Sequence, residues 1–225
     1  MKLRNIKTAD IRFIARLHKK TINSPSSKIG IGYLTKIYQT LLKAPELHLC
    51  ILAYDNDTII GAITATKDLR KTNKLIKNFF YLGMIFSVIK AVLLGKVSIV
   101  ELLNRIRFEQ IVTNKFPQPY VTILTLFVAK SFQRKGIGRR LVREIILRLK
   151  NEKIKNVHVD TLTTNKKAIA FYQSIGFKRI EKIADSYVLE YKIQFKIQNA
   201  KIKKFNSKVI SLGTNNFEFL LVLRP

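Results

Sequence analysis

The stretch QRKGIGRRL, residues 133–141, decides how this sequence is interpreted. It follows a β-branched run at residues 121–128 and leads into a segment with helical periodicity, so a strand, a tight loop and a helix are predicted in that order. The apolar positions of this helix recur every four residues, at Ile137, Leu141, Ile145 and Leu149. Gly136 and Gly138 let the backbone approach a ligand. The N-terminus of the helix presents unpaired N–H groups and the positive end of the helix dipole. Such a turn can bind a pyrophosphate.

A second informative stretch is NKKAIAFYQSIGF, residues 165–177. It predicts a helix with Asn165 as its N-cap and Gly176 as its stop. Asn165 and Tyr172 are seven positions apart, about two helical turns, so they share one face. On spacing alone, a tyrosine on this face fits core packing as well as catalysis.

The rest of the chain predicts a mixed α/β fold of one domain over residues 1–225, because its length suits a single core with insertions. Two β-rich runs, at 47–54 and 58–66, flank the turn formers of residues 55–57 and indicate a hairpin. Residues 68–115 then form a basic, apolar helical insertion that Gly95 divides into two helices. A second, basic insertion is predicted at 190–215, before a last strand at 217–223.

Charge is the unusual property of the composition. The chain has 42 Lys and Arg against 14 Asp and Glu, a net charge of +28. Three kinds of anion could explain it: nucleic acid, an acidic membrane surface, or a phosphorylated small molecule. Coding bias that loads exposed positions with lysine explains it equally well, so the charge alone selects no function.

The remaining global features point to a cytoplasmic protein. The N-terminus carries charges every two or three residues and has no apolar core, unlike a secretory signal. Cys50 is the single cysteine, which excludes a disulfide framework. Residues 75–94 are long enough to cross a bilayer, but Lys77, Asn78 and Lys90 interrupt them. We therefore expect a surface helix there, which either roofs a substrate site or lies on an acidic membrane.

The two stretches at 133–138 and 165–177, in this order and at this distance, resemble the GCN5-related N-acetyltransferase (GNAT) superfamily. The order of predicted elements is similar too, apart from residues 68–115 and 190–215. The resemblance implies a mostly antiparallel mixed sheet flanked by helices, with a helical insertion between strands 3 and 4. It also implies an acyltransferase that uses acetyl-CoA as co-substrate and needs no metal.

The resemblance further implies residue roles. The pantetheine arm would pair with the strand near Val128, the loop amides would hold the pyrophosphate, and Tyr172 would protonate the departing thiolate as general acid. The implied cofactor contacts are Leu126, Phe127, Val128, Gln133, Arg134, Lys135, Gly136, Ile137, Gly138, Arg139 and Asn165.

The general base departs from the family pattern. Many similar sequences carry Glu six residues before the position of Val128, where this chain has Thr122. Asp160, on the next strand, is the candidate base. His158 and a water chain to solvent are the alternatives.

The acceptor is open at this stage. Residues 29–45 loosely resemble transferases of surface glycan metabolism, which suggests an amino sugar, although helix packing explains the same pattern. The alternatives are a protein or peptide amine, either N-terminal or lysine. A different class altogether is a non-catalytic basic module that binds nucleic acid or an anionic membrane; the intact cofactor signature argues against it.

Overall fold

The computed structural model describes residues 1–152 and 154–195, with only the backbone of residues 79–82 and 84. Residues 1–193 form one compact unit. Most of the basic insertion predicted at 190–215, and all of the strand predicted at 217–223, lie outside the described residues.

In the part of the chain that the structure describes, a seven-stranded mixed sheet carries the fold, in the order β1-β2-β3-β4-β5-β7-β6. The strands are β1 (Lys2–Asn5), β2 (His48–Asp55), β3 (Thr58–Thr66), β4 (Tyr120–Val128), β5 (Asn156–Leu162), β6 (Lys178–Ile183) and β7 (Ser186–Lys192). Among the described strands, only β4 and β5 pair in parallel, and the other five pairs are antiparallel. The mostly antiparallel mixed sheet expected from the sequence is confirmed.

Helices cover both faces of the sheet. They are α1 (Ile11–Thr21), α2 (Pro25–Ile29), α3 (Ile31–Lys43), α4 (Leu69–Leu93), α5 (Ile99–Lys115), α6 (Ile137–Lys150) and α7 (Lys166–Ser174). Alternate residues of β2 belong to different cores: Ile51 packs in the core with α6, and Leu52 packs in the core with α1 and α3. Because successive strand side chains point to opposite faces, these two helical layers lie on opposite sides of the sheet.

The predicted insertion between β3 and β4 is a pair of helices. Asp68 caps α4 by accepting a hydrogen bond from Lys71 N–H, and Gly95, at φ +64°, ends it with a left-handed turn. Helix α5 packs Phe108 and Val112 against Ile183 and Val188 of the β6–β7 hairpin. The insertion therefore lies on the face that α1 and α3 also cover, where it meets the two final strands.

Candidate active site

Strands β4 and β5 pair for only part of their length. The parallel ladder joins Tyr120–Ile123 to Asn156–Val159 and stops there, although β4 continues to Val128 and β5 to Leu162. On its other side, β4 stays paired with β3 up to Val128, opposite Gly61. The edge of β4 from residue 124 to 128 is thus unpaired toward β5, and the backbone groups on that edge before Val128 O can pair with an extended ligand.

The loop after β4 delivers α6 to the end of this open edge. Arg134 has φ +62° and Gly136 φ +77°, so the chain makes two left-handed turns before the helix. The first backbone bond of α6 runs from Arg140 N–H to Gly136 O, 3.0 Å, so the amides of residues 137–139 precede the helical ladder. A Cβ on Gly136 would meet nothing within 4 Å. This N-terminus therefore fits an anionic group.

Helix α7 comes close to the start of α6. A Cβ on Gly138 would lie 3.2 Å from Cζ of Phe171, so only glycine allows this approach without a shift of the phenyl ring. Asn165 caps α7 through a 3.1 Å hydrogen bond that its Oδ1 accepts from Ala168 N–H, as its sequence position predicts. Its amide nitrogen stays free to donate to a ligand.

The other residues expected at the cofactor occupy three environments. Gln133 Nε2 donates to Val128 O, 3.0 Å, and so ties the loop to the strand end. The side chains of Phe127 and Ile137 are buried, 4% and 5% exposed, so only their backbones can face a ligand. Leu126 and Val128 are half-buried against the α6 core. Arg134 and Lys135 are exposed, and Arg139 donates to Ser174 Oγ, 3.2 Å.

Tyr172 lies inside the core that α6 makes with the sheet, 6% exposed, with its ring between those of Phe171 and Phe177. Burial raises the pKa of its phenol, and the negative charge of Asp160 raises that pKa further. The phenol is therefore protonated at neutral pH. The core that contains Tyr172 also contacts Leu126 and Val128 of the open edge of β4, and a protonated hydroxyl can act as a proton donor.

Asp160 forms an ion pair with the insertion. Its Oδ2 accepts a 2.6 Å hydrogen bond from Arg105 Nη1 of α5. The Arg105 Nε donates to Glu109 Oε1, 2.9 Å, and Glu109 Oε2 accepts from Asn73 Nδ2 of α4, 2.8 Å. Burial alone would lower the pKa of Arg105, but the charges of Asp160 and Glu109 outweigh it and raise that pKa. The guanidinium of Arg105 thus donates hydrogen bonds to the carboxylates of both Asp160 and Glu109.

His158 lies two residues before Asp160 on β5 and on the same face of the sheet. Its Nε2 is 3.2 Å from Glu190 Oε1, and its ring stacks on Tyr120 with centroids 4.4 Å apart. Burial lowers the pKa of His158. Three buried polar atoms around this position have no described hydrogen-bond partner: Tyr120 OH, Thr122 Oγ1 and His158 Nδ1. Thr122, at the position where the family pattern has Glu, therefore lies among buried polar groups and supplies no carboxylate.

A cavity of about 130 Å³ opens on the face covered by the insertion. Six aliphatic side chains line it, namely Leu34, Ile37, Leu41, Leu69, Ile76 and Leu124, together with eight polar, charged or aromatic ones: His18, Ser26, Tyr38, Thr64, Thr72, Asn73, Glu109 and Thr125. The polar side chains that reach it include Tyr38, whose hydroxyl lies 2.7 Å from His18 Nδ1, and Glu109. Because Glu109 also contacts Arg105, the partner of Asp160, the cavity and the candidate base are joined by one ion-pair network.

Sequence reasoning missed Arg105 and Glu109. It treated the insertion as a roof with no named site residues, whereas α5 provides the partner of Asp160 and part of the cavity wall. A signal was present, because Arg105 and Glu109 stand four positions apart on a helix and Phe108, between them, is apolar. That pattern indicates a polar face next to a buried one, but it does not reveal which strand the face meets.

Comparison with known proteins assigns the chain to a protein family. The model of the acetyltransferase (GNAT) family matches residues 16–177, and the chain belongs to that family. The stretches at 133–138 and 165–177 both fall within the match. The acyltransferase class expected from the sequence is confirmed.

One curated relative is the N-alpha-acetyltransferase 30 of Dictyostelium discoideum. It is 28% identical over 145 residues, which are 64% of this chain and 53% of that protein. The chain thus spans about half the length of the curated relative it matches.

Solved structures share the fold at low sequence identity. The Arabidopsis thaliana NAA60, in complex with a bisubstrate analogue, has a TM-score of 0.56 at 17% identity and covers 86% of this chain and 98% of its own. The PaiA N-acetyltransferase of Thermoplasma acidophilum, in complex with coenzyme A, has a TM-score of 0.54 at 15% identity, with 85% and 98% covered. The ribosomal-protein-S18-alanine N-acetyltransferase of Escherichia coli has a TM-score of 0.54 at 14% identity, with 88% and 97% covered.

Proposed function

We propose that this chain transfers an acetyl group from acetyl-CoA to the α-amine of a peptide whose first side chain is aliphatic. The observation that carries the proposal is the open edge of β4 at residues 124–128, which leads directly into the loop and free amides at the N-terminus of α6.

The residues present fit acetyl-CoA. An extended pantetheine arm can pair with the β4 edge as a strand would, because that edge lacks a partner toward β5. Its pyrophosphate suits the amides of residues 137–139, with Arg134 and Lys135 adding positive charge. Bound there, acetyl-CoA supplies an acetyl thioester, whose carbonyl carbon an amine can attack directly.

Two side chains manage the protons. Asp160 accepts one proton from the amine, directly or through a water, as the C–N bond forms. Tyr172 gives its phenolic proton to the sulfur as the C–S bond breaks, and its raised pKa keeps that proton in place until then. Arg105 is a positioning residue, because it holds the carboxylate of Asp160 at a fixed distance.

The cavity fits a peptide acceptor. The aliphatic part of its wall can bury an apolar side chain of the first residue, and its hydroxyl, amide and carboxylate side chains can hydrogen-bond the peptide backbone. The glycan-type acceptor stays a prediction from the sequence alone, and a peptide α-amine is the acceptor we propose. The similarity to an N-alpha-acetyltransferase supports this choice.

A transfer assay with four acceptor types tests the proposal. We would incubate the chain with acetyl-CoA and follow free thiol against a peptide with a Met-Leu N-terminus, an N-terminally blocked peptide with a free lysine, glucosamine, and spermidine. We expect the free α-amine peptide to give the highest kcat/KM, by about tenfold or more. Faster reaction of glucosamine would overturn the peptide assignment. Tight binding of acetyl-CoA without transfer to any of the four would favour the non-catalytic module.

A further inference from the structure

The C-terminal half of α4 and the start of α5 expose large apolar side chains. Phe86 is 70% exposed, Leu93 81% and Val100 64%. The complete set, here named the apolar tip, is Ile85, Phe86, Ile89, Leu93, Leu94, Ile99, Val100, Leu103 and Ile106. Exposed residues of this kind are usually scattered singly, whereas a contiguous group marks an interaction surface.

The spacing of these residues makes them contiguous. Ile85, Ile89 and Leu93 are four positions apart and form a stripe along α4. Ile99 and Leu103 begin a similar stripe on α5. Since only residues 94–98 separate the two helices, both stripes end at the same turn. The apolar tip is therefore a property of the helical hairpin and not of either helix alone.

The charges around the tip are mainly positive. Residues 69–100 contain six Lys and Arg and no Asp or Glu: Arg70, Lys71, Lys74, Lys77, Lys90 and Lys96. Lys90 and Lys96, which lie at the tip itself, are exposed. Glu101 is the single carboxylate between residues 85 and 106, and its ion pair with Lys28, 3.0 Å, offsets its charge. The net charge that the tip presents to an anionic surface is therefore positive.

We propose that the apolar tip is a docking surface for an anionic lipid bilayer. The apolar side chains enter the headgroup region, and Lys90 and Lys96 meet lipid phosphates. The hairpin lies on the membrane and does not cross it. Among the described residues, no helix combines the length and hydropathy that a bilayer span requires.

Charge complementarity selects a lipid over a second copy of the chain. A symmetric dimer through the tip would bring Lys90 and Lys96 of one copy near those of the other, and the single carboxylate of the tip, Glu101, is already paired with Lys28. A lipid surface offers apolar depth and phosphate charge together. Membrane contact at the tip leaves the start of α4 on the protein. Ile76, which lines the cavity, precedes Phe86 by ten residues, about 15 Å along the helix.

The experiment uses the absence of tryptophan from the chain. Phe86→Trp places a single fluorophore on the tip, and Phe13→Trp places one on α1, where Phe13 is 63% exposed. Each full-length variant is mixed with vesicles of phosphatidylcholine alone or with 30% phosphatidylglycerol. We expect a blue shift and quenching by brominated lipid for Phe86→Trp with anionic vesicles only, with recovery in high salt.

Flotation of the vesicles gives the second measurement. The pair Phe86→Ser with Leu93→Gln, and separately the pair Lys90→Glu with Lys96→Glu, should each lower the bound fraction at least fivefold. Lys19→Glu with Lys20→Glu, on exposed positions of α1, is the charge control and should lower it less than twofold. Equal losses in the control, or no vesicle binding by the parent chain, would overturn the proposal. A dimer that dissociates in Phe86→Ser, without vesicle binding, would assign the tip to a second copy instead.

Discussion

Arg105 Nη1 lies 2.6 Å from Asp160 Oδ2, although 55 positions separate the two residues in the sequence. This contact joins the insertion helix α5 to β5, at the point where β5 leaves β4. The insertion thereby takes part in holding the candidate base. Its role extends beyond covering the site.

Substitution of Arg105 should lower turnover by releasing Asp160. In Arg105→Gln, the carboxylate of Asp160 loses the 2.6 Å contact that ties it to α5, so it is no longer held where it accepts the amine proton. We expect kcat to fall about tenfold, with Arg105→Lys in between, while the acetyl-CoA Kd stays unchanged. Arg107→Gln, on an exposed position of the same helix, is the control and should leave kcat unchanged. Equal losses of kcat and of acetyl-CoA affinity, together with a lower unfolding temperature, would mean that Arg105 only supports the fold.

Tyr172→Phe should separate turnover from binding. Loss of the phenolic proton should lower kcat about a hundredfold, while calorimetry should give an acetyl-CoA Kd within about twofold of the parent. Since the Tyr172 hydroxyl has no hydrogen-bond partner among the described residues, thermal unfolding should change little. Tyr191→Phe, which alters another aromatic of the same core, serves as control. A matching loss of affinity would make Tyr172 a packing residue.

Gly138→Glu should weaken acetyl-CoA binding. The side chain would press on Phe171, 3.2 Å from the position of the new Cβ, and would place a carboxylate near the pyrophosphate amides. We expect Kd to rise at least tenfold, which is about 1.4 kcal/mol. Gly32→Glu adds the same charge where a Cβ meets nothing within 4 Å, so its Kd should stay unchanged. Equal Kd values for the two variants would rule out the loop as the pyrophosphate site.

Ile76→Phe should narrow the acceptor cavity that Ile76 lines. The KM for a peptide with a large aliphatic first residue should rise about tenfold, and the KM for acetyl-CoA should stay constant, because a filled cavity affects only the acceptor. Ile89→Phe makes the same change on an exposed position of the same helix and should alter neither constant. A peptide KM that is unaffected by Ile76→Phe would move the acceptor elsewhere.

Acid should destabilise the fold through His18. Burial lowers the pKa of His18 to about 4 in the folded chain, whereas an unfolded histidine titrates near about 6.5. Below the unfolded value the unfolded chain binds a proton that the folded chain does not, so stability is lost between those two pH values. The loss is on the order of 3 kcal/mol.

Urea unfolding at pH 7.5 and pH 4.5 measures this difference. His18→Gln, which does not titrate, should show a smaller drop in the free energy of unfolding between the two pH values. Some drop remains, because burial also lowers the pKa of His48 and His158. An undiminished drop in His18→Gln would assign the acid sensitivity to those two histidines.

Local patterns predicted the strand and helices of the candidate donor side well. The strand, loop and helix around Gly136 follow from β-branched residues, glycines and a four-residue apolar repeat, all within 30 residues. The cap on α7 follows from Asn165 alone. These elements depend on interactions between residues that are close in the sequence, so the local sequence is enough to predict them.

The acceptor side depends on contacts between distant elements. The sequence predicted the two insertion helices but not that Arg105 faces Asp160, since that contact needs α5 to dock on β5 and β7. Nor could it predict which stripe of α4 stays exposed, because apolar residues occur on more than one side of that helix. Buried partners such as Glu190 for His158 depend on strand order, which a single sequence does not specify.

The two ends of the insertion lie side by side in the sheet. Thr66, the last residue of β3, is the register partner of Thr122 on β4, so the 53 residues between β3 and β4 leave and rejoin the sheet side by side. A segment attached in this way can be lengthened, shortened or replaced over evolutionary time without moving the strands on either side. The insertion is therefore an exchangeable segment, and grafting a different helical hairpin between these two threonines is a direct way to ask whether it sets the acceptor specificity.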